Sequence, residues 1–423
     1  MLLAFAPYGL GLLRGAVPST RATLLLAGLA ALPALLAPPL SSDDLYRYLW
    51  DGRVLGEGMD PYAFAPADPA LAELRDGLWR RINNPEIGTI YPPVAQVLFA
   101  LADALAHHPV SMKALALLGH GAATLVAARV GGPQAAFAFG LNPLALEASA
   151  LGGHVDVFVG LAVLAFARAA SAGRWARASL ALVLAAGLKV APAVLWPQLA
   201  RRHRGLALLS LVGLVAVLVP LAGGGRGGGA SAYATRWRGN AGLYGAVEGL
   251  TRAGLEASFG TAPGRVRVPD GAHALEGTPL DPLAALARPK KDRERATEVD
   301  VALLSEPAAR VLVGLLFLGV LGWILRRERA PGDAALATLL AVLLLAPQLH
   351  PWYLLWVLPL AAAEGRLAPL AWSATLFVAY APLDGWVLGH VWREAPVAVP
   401  LAHALGLVAL ALERRRAGAA GTC

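Results

Sequence analysis

The chain has 423 residues, of which 57% are hydrophobic and 15% charged, with a mean hydropathy of +0.57. Soluble domains carry about 25% charged residues, so that class is excluded and a polytopic membrane protein is indicated. The net charge of +8 sits in short runs, "RRHR" at 201, "RRER" at 326 and "ERRR" at 413, which reads as cytoplasmic turns under the positive-inside rule; no nucleic-acid partner is expected.

Taken in chain order, residues 1–17 form an interfacial helix or a short extra span, and Ala22 to Leu40 a retained spanning helix. The stretch "SSDDLYRYLWDGRV", Ser41 to Val54, follows at what should be the membrane surface. A helix starting near Asp44 puts Asp44, Tyr48 and Asp51 on one face and lets Arg47 pair with Asp43 or Asp51. Ser41, Ser42 and Asp43 are N-cap types, so a capped interfacial helix is one reading. A carboxylate at the mouth of a membrane cavity is the functional one.

Gly56 to Pro93 is a proline-punctuated loop of the ordered, functional kind. Letting every later apolar run cross would place Arg129, Arg168, Arg174 and Arg177 outside. The basic residues are instead cytoplasmic if 91–106 only dips into the outer leaflet, 110–129 crosses inward, 133–148 returns and 155–170 goes back. Lys189 and Pro192 then divide the next apolar run into two half-length helices, which membranes tolerate only around a protein cavity. Glu147, His154 and Asp156 could bind a hard cation, but their loose spacing favours hydrogen bonding to a polar substrate. Lys189, deep in its apolar stretch, wants an anion.

Residues 223–309 form a long external segment, loose or disordered from about 257 to 305 because no apolar period is visible there. Spans at 310–325, 333–349, 351–364, 367–383 and 397–413 complete the chain. His350, in "QLHPWYLLW", falls at an outer helix junction and is read as an aromatic-belt turn or a site. The domains are therefore 1–222 with external loop 41–109, 223–309, and 310–423. Cys423 is the only cysteine, so no intrachain disulfide or cysteine metal site exists.

Five blocks in order, "DLYRYLWDGRV…G…PY" (Asp44 to Tyr62), "IYPPVAQ" (Ile90 to Gln96), "NPL.LE…GGH.D" (Asn142 to Asp156), "RWRGNAGLY" (Arg236 to Tyr244) and "HPWYLLW" (His350 to Trp356), resemble the lipid-linked glycosyltransferases of the GT-C class. They are most similar to the bacterial polyprenyl-phosphate-mannose-dependent mannosyltransferase-like families, including the glycosyltransferase 87 type. The resemblance implies an all-α GT-C fold with about 11–13 transmembrane helices and amphipathic helices in the first external loop. It also implies an outward-facing site in a bacterial plasma membrane, a polyprenyl-phosphate sugar donor, and an envelope glycan or glycolipid acceptor. The acid matching the family's base is Asp44, with Asp43 the nearby rival. Lys189, Arg236 and Arg238 are candidates for the leaving phosphate, and with them no divalent metal or other cofactor is required. Arg47, Tyr48, Asp51, Tyr62, Tyr91, Glu147, His154, Asp156, His350 and Tyr353 complete the expected substrate-binding set. A secondary transporter or lipid flippase is the alternative reading, since it too would use broken helices and a buried lysine.

Overall fold

Proline and glycine, rather than polar residues, divide this apolar sequence into helices. The computed structural model describes residues 2–222, Gly229, Tyr233, 237–269, 296–328, 330–380 and 397–420. Its helices are α1 Phe5–Arg14, α2 Thr20–Leu36, α3 Asp44–Gly56, α4 Pro93–Leu105, α5 Pro109–Gly140, α6 Pro143–Leu146, α7 Asp156–Ser171, α8 Trp175–Leu188, α9 Trp196–Arg202 and α10 Arg204–Leu218. After these come α11 Leu243–Phe259, α12 Ala302–Arg327, α13 Pro331–Leu345, α14 Leu358–Ala363, α15 Leu367–Leu376 and α16 Ala398–Ala420. Prolines 93, 109, 143 and 331 open their helices, where the missing N–H costs nothing. The protein is an all-α polytopic membrane protein. Among the described residues three helices, Pro109–Gly140, Arg204–Ala222 and Ala302–Arg327, are long and apolar enough to cross, and six shorter apolar helices accompany them.

The helix Pro109–Gly140 is a hairpin. Gly132 has φ +67°, a conformation glycine adopts without strain, and Pro133 cannot continue the preceding turn. His120 Nε2 donates to the Gly140 carbonyl at 3.0 Å across twenty residues, a separation that spans about 30 Å in a straight helix. The chain therefore reverses between 129 and 133, where the basic residues require it. A second break leaves Lys189 extended (φ −155°, ψ 141°) between α8 and a 3₁₀ turn at Ala191–Leu195 that leads into α9. The lysine and proline pattern predicts that division. A third segment, 351–364, is split into a 3₁₀ turn at Pro351–Trp356 and α14.

The core is formed where α7 packs on α8, α13 and the Pro351–Trp356 turn, and where α5 packs on α2, α7 and α14. At Gly160 on α7 a Cβ would lie 2.0 Å from the Leu355 carbonyl, so helix and turn meet at backbone distance. Asn142 caps α6 by accepting from Ala145 N (3.0 Å) and donates to Ser373 Oγ (2.9 Å) and Tyr8 Oη (3.2 Å). That one side chain joins α1, α6 and α15.

The expected loose segment from 257 to 305 is not wholly loose. Strands β1 Gly260–Ala262, β2 Arg265–Pro269 and β3 Ala296–Asp300 form an antiparallel sheet in that order, with Arg265 opposite Asp300 and Val266 opposite Val299. Val266 is buried with Val301 and Leu304 against Leu255 and Phe259. Strands this short leave no readable period, and their partners lie far apart in sequence.

Candidate functional site

Helix α3 starts at Asp44, as its pattern predicts, but it is not an interfacial helix. Leu45 to Gly52 and Val54 are buried, with Tyr48 stacked on Phe99 of α4 at 4.5 Å. The N-cap also differs from expectation: Ser42 Oγ accepts from Asp44 N at 3.1 Å, while Asp43 makes no capping bond and accepts from Asn83 Nδ2 at 2.5 Å. Asn83 also reaches Asp44 Oδ1 at 3.4 Å. Both acids are therefore tied to the loop before Pro92.

One turn on, Arg47 donates through Nε to Asp51 Oδ1 (2.7 Å) and through Nη1 to the Ile87 carbonyl (3.0 Å). Asp51 accepts further from Thr89 Oγ1 (2.6 Å) and Gln96 Nε2 (3.3 Å). Arg47 thus pairs with Asp51, not Asp43. Its Nη2 is buried without a partner.

Asp44 and Arg47 line a narrow cleft of about 70 Å³. Asn83, Asn84, Tyr91, Lys189, Tyr233, Trp237, Gln348, His350 and Tyr353 line it too. Asn84 turns the backbone there at φ +45°, which asparagine tolerates better than most residues. A short parallel bridge, Leu349 N to Gly239 O at 2.9 Å and Gly239 N to Pro347 O at 3.2 Å, sets Trp237 beside His350. Burial is the main reason the Asp44 carboxyl is pushed up to about 7, with the neighbouring Asp43 charge adding to it and Lys189 opposing.

Lys189 projects from the break between α8 and α9. Its Nζ lies 2.9 and 3.2 Å from the two oxygens of Asp156, above the ring of Tyr353 at 4.4 Å, with Tyr91 and Trp356 at 5.9 and 5.8 Å. Trp356 Nε1 donates to the same Asp156 at 2.6 Å. Behind the cleft, Trp352 is sandwiched between His154 (4.1 Å, 12°) and His350 (4.3 Å, 4°). His154 Nδ1 faces Tyr48 Oη at 3.5 Å and Asp44 Oδ2 at 3.9 Å.

Of the residues singled out in the sequence, Asp44, Arg47, Tyr91, Lys189, His350 and Tyr353 share the cleft. Tyr48, His154 and Asp156 stand directly behind it, and Asp51 holds Arg47. Tyr62 buttresses the loop by donating to the Tyr91 carbonyl at 2.9 Å. Glu147 is buried and accepts from Tyr380 Oη, away from the lining residues. Arg238 does not reach the cleft: it pairs with Glu306 at 2.8 Å, because that acid and Glu248 stand beside it. Arg236 lies outside the described residues. Glu147, His154 and Asp156 take separate partners, and among the described residues no three His, Cys, Asp or Glu side chains converge as a metal-ligand set. Sequence reasoning missed Asn83, Asn84, Trp237, Gln348 and Tyr233; the "NNP" turn signal was the one clue to the first two.

Residues 1–203 match the family described as alpha-(1->6)-mannopyranosyltransferase, N-terminal domain. Over 420 residues the chain is 28% identical to alpha-(1->6)-mannopyranosyltransferase A of Mycobacterium tuberculosis, an alignment covering 92% of this chain and 72% of that protein. No solved structure matches. With residues 1–203 matched and a relative aligned over 92% of this chain, the protein is a membrane-embedded glycosyltransferase similar to the alpha-(1->6)-mannopyranosyltransferases.

Proposed function

We propose that the protein transfers a mannosyl residue from a polyprenyl-phosphate donor to an envelope glycan or glycolipid on the outer face of a bacterial plasma membrane, with Asp44 as general base. The observation that carries this reading is the cleft itself, which holds one weakly hydrogen-bonded carboxylate together with an arginine whose Nη2 has no partner. The ionised Asp44 takes the proton of the acceptor hydroxyl as that oxygen attacks the anomeric carbon. The bond from that carbon to the phosphate oxygen breaks through an oxocarbenium-like state. Charge builds on the leaving phosphate, and the unpartnered Arg47 Nη2 is the group we assign to donate a hydrogen bond to it. Lys189 contributes less to that step than its position in the sequence promised, because Asp156 already neutralises it.

The similarity to an enzyme named for mannosyl transfer supports mannose as the sugar. The basic residues support an outward-facing cleft: Arg129, Arg168 and Arg174 share the side opposite the first long loop under the positive-inside rule. The same reasoning supports a division into a module over 1–222, an external segment over 223–309, and C-terminal helices from 310. The test uses inside-out and right-side-out vesicles with a radiolabelled polyprenyl-phosphate mannose. Wild-type protein transfers label and Asp44→Asn, inserted at equal amounts, does not; activity retained by Asp44→Asn and lost by Asp43→Asn would reassign the base. A topology reporter after Arg174 is expected in the cytoplasm, and a periplasmic signal would overturn the orientation.

A further inference from the structure

At the end of α13 opposite to Gln348 and the cleft, helices α12, α13, α15 and α16 enclose a cavity of about 360 Å³. Sites that take small ligands run roughly 300–1,000 Å³. Arg326, Arg327 and Arg366 mark this end as a basic membrane surface. The inner walls are Leu336, Leu340, Pro369 and Leu410. Asp333 at the mouth and Leu340 inside are separated by about 10 Å of helix rise along α13, whereas the headgroup layer of a bilayer is about 5–8 Å deep. The cavity therefore reaches from the headgroups to acyl-chain depth, and an amphipathic molecule is what fits it.

The charged side chains of the lining are not used alike. Arg366 Nη2 donates to Asp333 Oδ1 at 2.5 Å, so that pair is neutral. Glu413 Oε1 accepts from the Leu367 N–H at 2.7 Å, which caps α15 and leaves the charge of Glu413 in place. Arg327 lies over the Trp323 ring at 5.5 Å and, like Glu328, has no ion-pair partner among the described residues. Arg327 and Arg366 against Glu328, Asp333 and Glu413 leave the lining with an excess of negative charge. A purely anionic headgroup meets more repulsion than attraction there, while one that carries both a phosphate and a primary ammonium finds a partner for each. An arginine-rich turn by itself would give the reverse preference, for anionic lipid.

We infer that this cavity binds a phosphatidylethanolamine-type lipid from the leaflet on its own side of the membrane. Arg327 holds the phosphate, Glu328 and Glu413 hold the ammonium, and the acyl chains leave along Leu336, Leu340 and Leu410. The site stands apart from the sugar chemistry and rests on neither the donor nor the acceptor assignment. Gln348 and His350 of the cleft follow just past the other end of α13, so a lipid seated here braces the helix that leads into the cleft.

The full chain is placed in phosphatidylcholine nanodiscs doped with a phosphatidylethanolamine that carries a diazirine near the glycerol end of one acyl chain, irradiated, and mapped by peptide mass spectrometry. Label is expected over 336–340 and at 369 and 410. Unlabelled phosphatidylethanolamine displaces it, and phosphatidylglycerol or phosphatidylcholine of the same chains does so about tenfold less well, the worth of one lost hydrogen bond to a charged group. Equal displacement by all three lipids shows an annular contact only, and stronger displacement by phosphatidylglycerol gives the mouth to the arginines; either result overturns the inference. Glu413→Gln keeps an oxygen for the Leu367 N–H, and Arg327 is exposed, so Glu413→Gln and Arg327→Gln are expected to leave the thermal midpoint in pure phosphatidylcholine unchanged. Each should cut capture of the labelled lipid by about tenfold, and undiminished capture in both overturns the site. The competition on wild type needs no variant and no turnover, so its outcome is independent of whether the protein transfers mannose.

Discussion

Lys189 and Asp156 form a two-oxygen ion pair, at 2.9 and 3.2 Å, with the carboxylate fully buried and the ammonium covered by the rings of Tyr353, Tyr91 and Trp356. Breaking a buried pair by removing one partner costs about 3–5 kcal/mol, because the other charge stays behind unpaired. Lys189→Met should therefore lower the thermal midpoint of the purified protein strongly. The double variant Lys189→Met, Asp156→Leu should recover much of that loss. A single variant as stable as wild type would remove the pair from the architecture and return Lys189 to the list of free phosphate ligands.

Asp44→Asn should cut the transfer rate by about 10²- to 10⁴-fold, the usual worth of a general base. Burial first, and then the Asp43 charge, push the Asp44 carboxyl up to about 7, and only its ionised form can take a proton. The logarithm of kcat/KM is expected to climb with pH up to about 7 and level off above it. A profile already flat from pH 5 would mean that the titrating base is some other group.

A separate pH effect belongs to the junction between α4 and α5. His107 faces Asp76 through Nε2 at 2.6 Å and Asp103 through Nδ1, so both ring nitrogens donate only when the imidazole is charged. Burial alone would lower its pKa, but the hydrogen bonds to Asp103 and Asp76 outweigh it and raise it. A raised folded-state value makes this stabilisation complete below the unfolded value of about 6.5 and lost as pH rises through the folded one. Thermal midpoints of wild type and His107→Gln, measured from pH 5.5 upward, should converge at alkaline pH; a constant gap would show that the charge is irrelevant.

How much of this was legible beforehand depended on whether the cause is local. The start of α3 and the break at Lys189 follow from residues that act on their own backbone, and the return after Arg129 was read from the placement of the basic residues. Arg47 could be given two acids at the right spacing, and only the folded chain chooses Asp51, because Thr89 and Gln96 meet the same carboxylate. Arg238 looked like a phosphate ligand until Glu306, distant in sequence, claimed it. His154 and His350 were each singled out in the sequence, but their stacking on the two sides of Trp352 was not, since nothing local joins residues so far apart in the chain.

Gly160→Val tests the packing that carries the second half of the cleft. Its Cβ would sit 2.0 Å from the Leu355 carbonyl, pushing α7 away from the turn that bears Trp352 and Tyr353. Overpacking of this kind costs about 1–3 kcal/mol, so both the thermal midpoint and the transfer rate should fall. Full activity with lowered stability would show that the turn tolerates displacement.

The sandwich of Trp352 between two histidines also orders events in time. Asp44 and His154 leave the ribosome long before Trp352 and His350, and until those late residues arrive His154 has no ring against its face. The early helices can insert and turn, yet the cleft they begin stays without a back wall.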